Sequence, residues 1–508
     1  MLTAAPGSIA SELALRSPTG RIALAATVAA TSMVSLDATI VNVALPHIGD
    51  DLHADVTALQ WVLTGYLLAL ASLILLGGAL GDRLGRRRIF LVGTAWFAGA
   101  SLLCGVAPSI GVLVAARILQ GVGGALLTPG SLAILQSSFR EGDRAAAVGA
   151  WSGLGGIAGA IGPFVGGVLV DGPGWRWAFL INVPVAVLVI VFARAAVPET
   201  RDTHAATRLD GRGAAYAVIA LAIGTWALTE AGARGWGDGG VLAAAAAAIV
   251  ATAGFVAHLR RTPDPLVPPA LFRNRTFTVV NLGTVFLYAA IGLAFFLVAY
   301  ELQVAAGWSA LSAGLALLPT TALLLVLSAR SGALAQRIGP RLQLTVGPLV
   351  AGAGLLLLTR IDSPTTWTTD VLPGALVFGL GLATFVAPLT ATVMAAADPD
   401  HVSIASGVNN ALARAAGLAG LAVVPVVAAL PSATGAAEVT DAYRTALVIA
   451  AAVAAVAGPL MWIGLAPHIR APRTVRRLHC AVDGPPLQPD PDRCAAMDPQ
   501  PARVPTTR

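Results

Sequence analysis

Two charges stand alone in long apolar stretches of this chain: Asp37, in the run that opens at Arg21, and Arg117, the only charge between 111 and 138. A carboxyl group withdrawn from water can take up a proton on one side of a barrier and release it on the other. A guanidinium so placed needs a partner, and Asp37 or backbone carbonyls are the candidates. A third isolated cation, Arg414, lies beside Asn409 and Asn410 and suits either contact with a bound compound or a tie between helices. A fourth feature, "GALGDRLGRRR" at 78–88, gathers one acid and four arginines where an apolar segment stops. Bond-making chemistry has no foothold. No GxxxxGK[ST] loop or nucleophile elbow occurs, and the seven histidines are scattered without metal spacing. Cys104, Cys480 and Cys494 form no cluster. No enzyme activity, cofactor or metal is expected.

The elements that hold these residues follow from composition. The chain of 508 residues is 56% hydrophobic and 11% charged, with mean hydropathy +0.78, far from a soluble domain. Apolar runs long enough to cross a hydrocarbon core of about 30 Å recur from Arg21 to Pro467. Breaks at charges, Pro and Gly clusters place spans at 21–44, 58–81, 89–107, 111–138, 145–170, 177–195, 213–231 and 239–258. Six more follow at 277–301, 310–329, 342–360, 371–396, 402–430 and 444–466, fourteen in all. With the N-terminus inside, nearly every Arg falls in a cytoplasmic segment, and only Arg176, Arg234, Arg360 and Arg444 fall outside. Both termini are therefore expected in the cytoplasm. The first 20 residues lack a signal-peptide pattern, so the first span is expected to act as an uncleaved insertion signal. The pI near 9.9 does not indicate nucleic acid, because the arginines are spread over many short loops rather than one stripe. Asp37 falls roughly 24 Å along its helix at about 1.5 Å per residue, in the outer half of the membrane.

The opening loop has an echo, "GALAQRIGPR" at 332–341. Gly78, Ala79, Leu80, Arg83, Gly85 and Arg87 recur as Gly332, Ala333, Leu334, Arg337, Gly339 and Arg341 at one offset of 254. Both copies follow the second helix of a six-helix group. Parallel halves of this kind place a binding site between them near the midplane. The expected fold is all-α and polytopic, with a cytoplasmic segment at 1–20 and a six-helix bundle at 21–196. Linkers with an inserted helix pair occupy 197–276, a second six-helix bundle 277–467, and a disordered cytoplasmic tail 468–508.

The loop GxLxDRxGRRR resembles the signature of the major facilitator superfamily. "LDATIVNVALP" (36–46), "LVAARILQGVGGA" (113–125), "GAIGPFVGG" (159–167) and "WRWAFLINVP" (175–184) together resemble its fourteen-helix drug/proton antiporter branch. "LQVAAGWSALSAGLALLP" (302–319) and "SGVNNALARAAG" (406–417) fit the second half of that branch.

The resemblance implies that Asp37 and Arg117 serve proton coupling. It implies that Gly78, Asp82, Arg83, Gly85, Arg86 and Arg87 form a cytoplasmic gate that latches the two halves. Gly159, Gly162, Pro163, Gly166 and Gly167 match a motif that marks exporters, and their spacing also gives a smooth face for close helix approach. Tyr66, Gln120, Asn182, Tyr300, Gln303, Asn409, Asn410 and Arg414 are candidates for a substrate cavity, although helix packing accounts for each singly. Glu301 stands where the branch usually shows Tyr; it is expected to be solvated at an outer end, as are Asp171, Asp238 and Asp362. The function so implied is proton-driven export of small amphipathic organic compounds, antibiotics among them, by a monomer in a bacterial cell membrane. A proton-coupled transporter of a metabolite, amino acid or lipid would share every motif.

Overall fold

The computed structural model describes residues 13–201, 210–262, 265, 267–397, 402–430 and 435–466. The tail expected at 468–508, with Cys480 and Cys494, lies outside them. Among the described residues the chain is helical, with one isolated bridge between Leu13 and Phe139 in place of any sheet. A first group holds α1 (Pro18–Leu52), α2 (Val56–Leu84), α3 (Arg86–Gly105), α4 (Ile110–Ser138), α5 (Glu141–Asp171), α6 (Trp177–Leu180) and α7 (Asn182–Ala196). A hairpin of α8 (Gly211–Arg234) and α9 (Gly239–Arg261) follows. A second group holds α10 (Arg275–Val304), α11 (Ala310–Ala316), α12 (Leu318–Ile338), α13 (Arg341–Leu358), α14 (Leu372–Ala395), α15 (Val402–Val427) and α16 (Ala436–Gly464).

Thirteen helical stretches among the described residues are long and apolar enough to cross a membrane. With α5, whose 31 residues carry charge only in the first turn and at Asp171, the count reaches fourteen. Polar residues sit where each helix leaves its apolar run. Ser17, Asp55, Asp210, Asp238, Asn274 and Ser309 accept hydrogen bonds from the otherwise unpaired first amides of their helices; such a cap is worth about 1 kcal/mol. Large apolar side chains face outward, Ile249 and Val250 at 70% exposure and Ile463 at 72%, which suits lipid rather than water.

Several boundaries differ from expectation. α1 runs through Pro46 to Leu52, because Leu45 and Ile48 are fully buried and hold the turn that proline weakens. The span expected at 177–195 is one helical stretch, Trp177–Ala196, in which Ile181 keeps helical backbone angles between α6 and α7, while the one at 310–329 is interrupted at Leu317 (φ −95°, ψ 9°), ahead of Pro319 in the first turn of α12. α16 begins at Ala436, two turns before the expected 444, so Arg444 lies inside a helix.

The sequence echo has a structural counterpart. α2 and α12 both end on a glycine in a positive-φ conformation, Gly85 (φ 115°) and Gly339 (φ 84°). Arg87 donates to the carbonyl of Val197 at the end of α7, and its counterpart Arg341 donates to that of Trp462 near the end of α16. A methyl group at Gly93 of α3 would meet the Gly123 carbonyl of α4 at 3.1 Å. One at Gly347, again 254 residues on, would meet the Gly381 carbonyl of α14 at 3.0 Å. The groups therefore repeat helix crossings as well as a loop. They meet where α1 packs on α10 and α11, α5 on α11 and α12, and α2 on α15, while α8 rests on α2 and α15 together.

Candidate functional site

Asp37 and Arg117 find each other. Nη1 of Arg117 lies 2.6 Å from Oδ2 of Asp37, and neither side chain is exposed at all. Two further donors converge on the other carboxylate oxygen: Gln120 Nε2 at 2.7 Å and Asn182 Nδ2 at 3.0 Å. An ionised carboxylate only accepts hydrogen bonds, and three donors meet it here. The guanidinium is anchored in turn. Its Nε donates to the Val62 carbonyl (3.0 Å), Nη1 also reaches Gln120 Oε1 (2.5 Å), and its plane lies 4.2 Å from the Tyr66 ring centre. Ser101 closes the circle as acceptor for Gln120 at 2.7 Å. Helices α1, α2, α3, α4 and α7 each supply a member. Nη2 of Arg117 and the Tyr66 hydroxyl are buried without a partner.

This geometry redistributes the expected residues. Gln120 and Asn182, candidates for the substrate cavity, bind Asp37 directly. Gln120 follows Arg117 by three residues, one helical turn, which is the sequence signal for its place. Ser101, one serine among the small residues of a span, carries no sequence signal for its place.

The glycines of α5 work on two faces. Gly155 and Gly166 would meet Thr31 (3.2 Å) and Ile40 (3.2 Å) of α1, with Gly162 against Thr39, so α5 lies tightly along the helix that carries Asp37. On its other face Gly167 abuts the backbone of Leu311, and Gly314 of α11 abuts the Pro163 carbonyl. Asp171, expected to be solvated, caps α11 across the groups: its oxygens accept from Ala310 N (3.1 Å) and Leu311 N (2.9 Å). The two groups are thus clamped at the end of the bundle opposite the signature loop. Loss of two hydrogen bonds to a carboxylate should shift a balance between closed and open forms by about threefold to tenfold, at roughly 1 kcal/mol net. An Asp171→Ala variant is accordingly expected to label faster with an impermeant maleimide at a cysteine replacing buried Ala313, in a background lacking Cys104. Unchanged labelling would mean the glycine contacts alone keep this end shut.

The signature loop is satisfied within its own group. Asp82 accepts from Arg86 Nε (2.8 Å), and Glu199 takes the amides of Arg87 (3.1 Å) and Arg88 (3.2 Å), capping α3. A side chain at Gly85 would strike the Glu199 carboxylate at 2.6 Å. Gly78 lies against Pro129 of α4, and Arg83 is exposed. The loop docks on the segment after α7, and among the described residues its hydrogen-bonded and ionic partners lie within the first group and that segment.

The remaining cavity candidates divide. Asn409 donates to Asn281 (3.0 Å) and Thr284 (2.8 Å) of α10, a tie between helices. Gln303 bonds its own helix at Ala299, and Tyr300 packs beside Phe296. Asn410 is exposed and Arg414 half-buried on α15. Glu301 is a correction: it is 1% exposed, bonded at 2.5 Å by Thr440, with its second oxygen buried and unpartnered. The early start of α16 places Thr440 and Tyr443 beside it. Asp238 caps α9 rather than standing free. Asp362, between α13 and α14, stays exposed, but the Ser363 amide and the Arg444 guanidinium (2.6 Å) hold its carboxyl below the usual range.

A sequence profile described as the Major Facilitator Superfamily matches residues 27–421. The chain is 37% identical over 401 residues to the tetracenomycin C resistance and export protein of Streptomyces glaucescens, covering 78% of this chain and 74% of that protein. It is 38% identical over 410 residues to the puromycin resistance protein pur8 of Streptomyces alboniger, at 78% and 80% coverage. With the methylenomycin A resistance protein of Bacillus subtilis (strain 168) it shares 34% over 440 residues, at 86% and 92%. In fold it is similar to the peptide transporter POT in complex with sulfate (TM-score 0.66, 14% identity, 89% of this chain and 96% of that one). It is also similar to a bacterial homolog of the human lysosomal transporter Spinster in an inward-facing, unoccupied conformation (TM-score 0.62, 17% identity, 88% and 97%).

Proposed function

The chain belongs to the major facilitator superfamily, and on that footing we propose that it is a proton-driven exporter of antibiotic-like amphipathic organic compounds in a bacterial cell membrane. Relatives named for resistance to tetracenomycin C, puromycin and methylenomycin A support the export of toxic compounds. The observation that carries the proton half of the reading is the fully buried Asp37–Arg117 pair. As an ion pair it is neutral overall. Adding a proton to Asp37 would leave a net positive charge in a low-dielectric interior, a state stable only if the surroundings rearrange. Proton uptake is thereby tied to movement of α1, and α5 lies against α1 on one face and against α11 on the other. Proton arrival from outside opens one end as the other closes, and departure to the cytoplasm reverses the sequence. Alternating access of two repeated bundles is the general mode of such folds. The signature loop, bonded within its own half in this state, is then free to engage the second half when the Asp171 clamp releases.

The test uses inside-out membrane vesicles from cells expressing the protein and an amphipathic anionic dye. Acidifying the vesicle interior is expected to drive dye accumulation against its gradient, and a protonophore to abolish it. Uphill accumulation that survives the protonophore would remove the proton from the mechanism.

A further inference from the structure

Arg414 is a half-buried cation with no anion beside it among the described residues. Among the described residues its guanidinium makes no hydrogen bond and no ion pair, and its Nε is buried with no partner. It lies deep in the assembly yet keeps part of its surface accessible, as a residue on the wall of an internal space does. The groups that act on it electrostatically are the phenols of Tyr288 on α10 and Tyr66 on α2, with no carboxylate among them. An arginine cannot shed its charge to suit such a place. The site is therefore built to receive negative charge from something that is not protein.

The neighbours agree. Asn410 and Arg414 lie four residues apart, on one face of α15. Gly407, on that same face, would meet Leu75 of α2 at 3.1 Å, so the face is turned to the first group. Tyr66 lies within electrostatic range of both arginines. Arg117 lies over its ring, and its hydroxyl, buried and unpartnered, is in electrostatic reach of Arg414.

We propose that Arg414 and Asn410 form the recognition pole for a negatively charged group on the cargo, so that the cargo class comprises amphipathic organic anions such as carboxylates. This rests on the export reading for the word cargo, but binding itself needs no proton. The anion supplies the missing partner of Arg414. Because Tyr66, within electrostatic range of Arg414, lies against the guanidinium of Arg117, an occupant at this pole is felt at the proton site through that side chain.

Binding to the full-length protein in detergent, read by fluorescence anisotropy, tests it with two probes of one shape: 1-pyrenebutyrate and its uncharged methyl ester. The wild type is expected to prefer the acid by about tenfold or more, the range for a charge-assisted hydrogen bond. Arg414→Gln should erase the preference by weakening acid binding alone, and Arg414→Lys should keep part of it. Should Arg414→Gln fail to fold, Asn410→Ala, at an exposed position, is expected to lower the preference by about threefold. Equal binding of acid and ester by the wild type, or equal losses for both probes in the variants, would overturn the proposal. A preserved acid preference in a protein that fails the vesicle assay would sink the export reading instead and leave this one standing.

Discussion

Replacing Arg117 by Ala is expected to cost about 3–5 kcal/mol of stability, enough to unfold many membrane proteins on extraction. The guanidinium provides the ionic partner of Asp37, a bond to the Val62 carbonyl, a bond to Gln120 and the cation on the Tyr66 ring. Its loss strands a carboxylate with no exposure to water. Lost packing and lost charge are separated by the double variant Asp37→Asn/Arg117→Gln. That variant keeps two polar side chains, the glutamine two bonds shorter than the arginine, and removes both charges together. Buried pairs replaced jointly by neutral groups are often near neutral in stability, whereas breaking one side is costly. Thermal unfolding in detergent should accordingly show Arg117→Ala far below the wild type and the double variant close to it. If the double variant melted as low as Arg117→Ala, shape and hydrogen bonding rather than charge would be the larger part of the effect.

The pair was legible because each member is the sole charge in a span, and lone charges inside a membrane seek each other. Its surroundings were less so. Asn182 reaches Asp37 from 145 residues away, across the packing of α7 on α1. Nothing in the residue order announces which faces of those two helices meet. The burial of Glu301 is hidden in the sequence for a related reason. Glu438, Asp441 and Arg444 look like a solvated loop, yet they form the first turns of α16, where Glu438 sits favourably in the field of the helix start. Once that helix is two turns longer, Glu301 has protein above it instead of water. Asp171 shows the opposite limit. It is exposed, as its position suggests, and its role comes from the amides of a helix 139 residues away that a single sequence does not place beside it. The fold's overall plan needed less: span length, arginine placement and one repeated loop. Those signals act at the scale of the bilayer, whereas the clamp and the buried acid depend on where particular helices break and begin.

The double variant also prepares the largest functional effect. Asp37→Asn is expected to lower gradient-driven export by about two orders of magnitude or more, the scale seen when a positioned proton carrier is removed. The amide still accepts from Gln120 and Asn182, but it carries no exchangeable charge and presents a donor to Arg117, itself only a donor. Dye flux in the vesicle assay should lose its response to an imposed pH difference, while passive movement of dye down its own gradient remains. Because Asp37→Asn leaves Arg117 uncompensated, reduced export in that variant alone has two explanations, a lost proton site and a weakened fold. In Asp37→Asn/Arg117→Gln the second is removed. A double variant that melts like the wild type and transports without regard to pH assigns the coupling to this carboxyl group. One that melts like the wild type and still exports in proportion to the pH difference moves the proton elsewhere, and Glu301, the second buried acid among the described residues and one whose Oε2 has no partner, is the first place to look.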